Sequence, residues 1–136
     1  MRERHPELPD AIKAFLDKVA PLGAYPEFRR SLNLKWDPPN GNTINLGYVM
    51  RNGEFWTDVT RWSAGDPSVA QTYVEDLAIL FNGDYVLRDS GSAYVQFNGH
   101  APRMEELIGL LDSWYEAIER FQNRIREYIA EEERDE

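Results

Sequence analysis

Apolar positions recur along this chain with two different periods. Leu8, Ile12, Phe15, Leu16 and Val19 repeat at helical spacing, with Pro9 and Asp10 at the start and Pro21 and Gly23 at the end. They predict a first helix, followed by a linker through Pro26 with Phe28 turned towards the core. The period then drops to two. Leu32, Leu34 and Trp36 line one face of a first strand, and Asp37-Pro38-Pro39-Asn40-Gly41-Asn42 is a dense turn signal. A second strand is expected over Thr43 to Met50 and a third over Glu54 to Trp62. Asn52-Gly53 between them has the composition of a two-residue hairpin turn. That turn would set Met50 opposite Phe55 and Leu46 opposite Val59. The core face would then hold Ile44, Leu46, Tyr48, Met50, Phe55, Thr57 and Val59. The other face would carry Asn33, Lys35, Asp37, Asn45, Gly47, Val49, Trp56, Asp58, Thr60 and Trp62, a polar surface holding two tryptophans.

The helical period returns after Ser63-Ala64-Gly65. Asp66-Pro67 starts a helix well, Val69, Tyr73, Leu77, Leu80 and Phe81 form its buried stripe, and Asn82-Gly83 stops it. Two short strands follow, near Asp84 to Arg88 and Ser92 to Phe97, and Asn98-Gly99 closes them. From Pro102 on, Met104, Leu107, Leu111, Trp114, Ile118, Phe121, Ile125 and Tyr128 repeat as an unbroken heptad seam, widened by Ile108, Tyr115 and Ile129. The expected order is α-β-β-β-α-β-β-α. This is one α+β domain over residues 1–136, an antiparallel sheet packed by helices and closed by a long amphipathic helix. Such a helix of about 30 residues spans ~45 Å at ~1.5 Å per residue, more than the roughly 30 to 35 Å expected across a globule of this size. The seam therefore has two readings. It covers the sheet, or its distal half, Phe121 to Ile129, pairs with another chain.

Composition narrows the chemistry. There is no cysteine, so no disulfide, thiolate metal site or thiol nucleophile exists, which suits a reducing, cytoplasmic setting. The N-terminus lacks the apolar core of a signal peptide, and apolar runs are too short to span a membrane. The formal net charge is -9, with eleven acids against five arginines from Arg103 onward. Nucleic acid and anionic membranes are poor partners for such a surface, and a basic protein is a good one. The last six residues, EEERDE, are expected to fray.

Candidate chemistry is sparse. His5 and His100 are the only histidines and lie far apart in sequence, which suits neither a zinc site nor a serine triad. No phosphate-binding glycine loop is present. The helix, three strands, helix, strand order matches the core of PD-(D/E)xK nucleases, yet the third strand, EFWTDVTRW, has no lysine two places after either acid. Only a rearranged metal site on Asp37, Asp58 and Lys35 would serve. No cofactor, metal or catalytic residue is otherwise expected, and the chain reads as a non-enzymatic protein.

The segments GDYVLRDSGSAYVQFN and MEELIGLLDSWYEAIERF, within the element order above, resemble the closing hairpin and last helix of class I type III secretion chaperones and the related YbjN-like proteins. The resemblance implies a protein-binding module, chaperone-like or regulatory, usually a homodimer, that holds a client on its sheet and helix surfaces. The final helix is longer here, and the Trp62 to Pro67 loop has no counterpart. Candidate partner-binding residues are Trp56 and Trp62 on the sheet and Phe121, Ile125 and Tyr128 on the last helix. The alternatives are a divergent metal-dependent nuclease and an acidic, immunity-type inhibitor of a basic protein.

Overall fold

A computed structural model describes residues 10–28, 31–38, 43–57, 67–88 and 93–135. It is α+β, as the periodicity predicts. Helix α1 (Asp10–Val19) buries Ile12, Phe15 and Val19 and passes into a 3-10 turn, Ala20–Leu22, closed by the left-handed Gly23. Strands β1 (Tyr25–Phe28), β2 (Leu32–Trp36), β3 (Ile44–Val49) and β4 (Phe55–Trp56) form an antiparallel sheet in that order. Helix α2 (Pro67–Phe81) leads to β5 (Asp84–Leu87) and β6 (Ala93–Gln96), which make a separate two-stranded sheet. Helices α3 (Met104–Ile108) and α4 (Leu111–Asp135) close the chain. Among the described residues no helix is long and apolar enough to cross a membrane.

Three expectations are corrected. The stretch read as a linker is strand β1, with Pro26 opposite Leu34. β1 is an edge strand, where a residue without an N–H costs no ladder bond. The final helix is not continuous from Pro102. It breaks at Gly109-Leu110, where the Gly109 and Leu110 N–H groups bond back to the carbonyls of Glu106 and Leu107. Helix α4 runs through the acidic stretch to Asp135. The central hairpin is also shifted by one residue. Its loop is three residues long, with Met50 N–H bonding Glu54 O and Gly53 N–H bonding Met50 O. Only Gly53 in that loop adopts positive φ, as a type I turn closed by a left-handed glycine requires. Val49 therefore faces Phe55, and Tyr48 faces Trp56.

A bulge in β3 completes the change of face. The register with β2 slips between Leu34 and Lys35, so that Leu34 pairs with Gly47, Lys35 with Asn45, and Leu46 is left over. An extra residue reverses the alternation beyond it. Ile44, Leu46 and Val49 are all buried, while Tyr48 and Met50, predicted to be core, turn outward. Gly47 faces inward under two rings. A Cβ there would lie 2.8 Å from the Phe55 ring and 3.0 Å from that of Trp114.

The core fills the space between this sheet and the helices. Tyr73 of α2, fully buried, donates its hydroxyl hydrogen to Leu46 O at 2.6 Å and accepts from the Trp114 indole N–H at 3.0 Å. Trp114 stacks on Phe15 of α1, with centroids 4.7 Å apart, and meets Phe55 edge-on. Phe121 packs on Trp36 and Tyr73. Polar contacts fix the long helix as well. Gln122, 1 % exposed, donates its side-chain amide to Leu22 O. Asp76 of α2 lies at ion-pair distance, 2.8 Å, from Arg124.

Removing the Tyr73 hydroxyl (Tyr73→Phe) strands a buried carbonyl and a buried indole N–H, and should cost about 3 kcal/mol in denaturant titration. Burial holds the Tyr73 phenol above its ordinary pKa of 10.0. A raised folded-state value means that its contribution is complete below that pH and is lost as pH climbs through the alkaline range. Phenolate absorbance from Tyr73 should therefore appear only together with unfolding. Gly47→Ala should cost about 2 kcal/mol by overpacking the Phe55 and Trp114 rings, read as a fall in melting temperature.

Candidate functional site

Described helices bury their side chains on one face of the four-stranded sheet. The other face is built by the pairing register. Glu27, Asn33, Tyr48 and Trp56 are direct cross-strand neighbours and form one row across all four strands. Tyr25, Lys35 and Asn45 form a second. Directly opposed side chains share a face, so these two rows make one continuous surface.

Its polar half is internally paired. Lys35 Nζ lies 2.6 Å from Glu27. Asn45 donates to Asn33 Oδ1, and Asn33 donates to Glu27 O and to Ser31. Asp37 accepts from the Tyr25 hydroxyl at 2.9 Å and the Thr43 hydroxyl at 2.6 Å. Those two bonds, Thr43 first, hold the Asp37 carboxyl below its usual range, with help from the nearby Lys35 charge. The Tyr25 hydroxyl is shifted upward, by partial desolvation and by its bond to Asp37.

The aromatic half centres on Trp56. Its ring is half-buried, its indole N–H donates to Glu54, and Tyr94 of β6 packs against it with centroids 5.2 Å apart. The Arg88 guanidinium sits 4.9 Å from the centre of the Tyr94 ring. Thr57 donates its hydroxyl hydrogen to Ala93 O and so ties β4 to β6. The face therefore continues from the large sheet onto the small one. Half-exposed Trp and Tyr rings beside Arg combine large apolar area with few degrees of freedom, the composition that anchors protein–protein contacts.

The structure separates the residues singled out from the sequence. Trp56 lies on the outer face as expected, while Trp62 lies outside the described residues. Phe121 and Ile125 are fully buried within the chain's own core, so they present no surface to a partner. The heptad seam there is core, because Trp36 and Tyr73 occupy the space that a second helix would need. Tyr128 is half-buried and packs on the core's edge. Of the three residues in the rearranged metal site, Lys35 and Asp37 share the outer face but are engaged with Glu27, Tyr25 and Thr43, and Asp58 lies outside the described residues. Among the described residues no three His, Asp or Glu side chains gather as a metal would need. Sequence reasoning missed Tyr48, Tyr94 and Arg88. Tyr48 was hidden by the bulge and Tyr94 by its place in the second sheet.

The bonds at Asp37 have a readable consequence. Its lowered value means that its stabilising contribution is present above the ordinary aspartate pKa and fades as pH falls through the depressed one. In a carboxyl-detected NMR titration, Tyr25→Phe should move the Asp37 midpoint upward towards the ordinary value.

Comparison with known protein families, characterised proteins and solved structures finds no significant match to this chain.

Proposed function

We propose that this chain is a non-enzymatic protein-binding module, chaperone-like or regulatory, that works in the cytoplasm through the outer face of its sheet. The observation that supports this best is the row of Tyr48, Trp56 and Tyr94 on the face turned away from the described helices. Its polar surroundings satisfy one another, through Lys35 with Glu27 and Asn45 with Asn33, so a partner could cover them without stranding a charge. The rings would supply the binding energy and the paired polar groups the rim.

A second copy of the chain is the first partner to consider, in keeping with the architectural resemblance to dimeric secretion chaperones. The net charge of -9 disfavours nucleic acid as an alternative occupant. An acidic inhibitor of a basic protein would use the same charge, and its binding would weaken steeply with salt.

Light scattering on the full chain tests the reading, with Trp56→Ala combined with Tyr94→Ala as the variant and circular dichroism as the check on folding. A wild-type dimer that becomes a folded monomer in the variant is the expected result. A wild-type monomer across the accessible concentration range, or a dimer indifferent to both substitutions, would remove self-association through this face.

A further inference from the structure

A cavity of about 420 Å³ lies between the end of α2, the start of β5, the end of β6 and the α3–α4 junction. That volume falls within the range of roughly 300–1,000 Å³ typical of small-ligand sites. We propose that it binds an organic cation, an arginine- or lysine-like group with a short apolar stem. This inference is independent of the proposed sheet surface.

The walls supply the apolar part. Phe81, Phe97 and Leu110 line the cavity, and the two rings lie 6.4 Å apart between centroids. Phe97 is held in place by Gly83, where a Cβ would stand only 2.6 Å from the ring. Any side chain there would displace the ring and close or reshape the wall.

The charge lining the cavity has one sign. Asp84 of β5 and Glu106 of α3 both line it, and no lysine, arginine or histidine is among its described lining residues. One Glu106 carboxylate oxygen accepts from the Arg103 backbone N–H at 2.9 Å, which orients the side chain and leaves its second oxygen for a ligand. The C-terminal end of the 15-residue helix α2 also opens here, and its negative macrodipole end favours a cation. An anion would meet two carboxylates and a helix C-terminus. A bare metal ion would gain nothing from the phenylalanine rings. A guanidinium or ammonium on a methylene stem uses both parts, because its stem packs on apolar surface while its head stays at the polar mouth, and aromatic faces attract such cations.

The test is an amide NMR titration of the full chain with N-acetylarginine amide, beside the uncharged isostere N-acetylcitrulline amide. Saturable shifts at Gly83, Asp84, Gly109 and Leu110 are expected with the arginine compound alone. Asp84→Asn and Glu106→Gln, both at exposed positions, should each weaken binding about threefold, the scale of a solvent-exposed ion pair. No saturation up to the order of tens of millimolar, a weaker affinity than any useful site, would overturn the proposal. So would equal shifts with citrulline, or unchanged affinity in both variants. Two further arms separate the sources of the cation. Tighter binding of a blocked Gly-Gly-Arg-Gly-Gly peptide would assign it to a protein side chain, and tighter binding of agmatine to a free amine.

Discussion

The structure hangs on one buried hydrogen-bond relay, from the Trp114 indole through the Tyr73 hydroxyl to the carbonyl of Leu46. Leu46 is the extra residue of the β3 bulge, so it has no ladder partner in β2. A buried carbonyl left that way would be costly. Tyr73 supplies the missing donor, and the side-chain oxygen of Asn45 accepts from the Gly47 N–H at 2.9 Å. The bulge is thus held by groups from α2 and α4 as well as from its own strand. The same relay sets the depth at which both helices meet the sheet.

The bulge in turn decides what the protein shows to solvent. It puts Val49 into the core and turns Tyr48 outward, next to Trp56. The three-residue loop at Arg51-Asn52-Gly53 keeps β4 in step, so Phe55 stays inside. Without these two irregularities Tyr48 would sit in the core and Val49 on the surface. The aromatic row is therefore a consequence of backbone geometry, and the Gly47 position shows how tightly that geometry is packed.

Charge and packing work on different surfaces. On the outer sheet face Lys35 is paired with Glu27, although the chain as a whole is strongly acidic. The excess negative charge is concentrated on α3 and α4, and part of it borders the cavity beside Gly109. Gly109 and Leu110 separate α3 from α4, their N–H groups bonded back to the carbonyls of Glu106 and Leu107.

Much of this was written in the sequence. Apolar periodicity located β2, β3, α2, β5 and β6 to within a residue or two at each end, because burial on one face imposes a period on any strand or helix. It also named the buried members of the last helix, Trp114, Ile118, Phe121 and Ile125. Three things were decided only by tertiary structure. Strand β1 exists because an edge accepts Pro26. The hairpin register depends on whether Asn52-Gly53 closes a two- or a three-residue loop, and the bulge in the same strand is bonded by Tyr73 from 27 residues away. Whether Phe121 and Ile125 met another chain or their own sheet was open in the heptad pattern, since both partners demand the same apolar spacing. Only the position of Trp36 and Tyr73 against Phe121 resolved it.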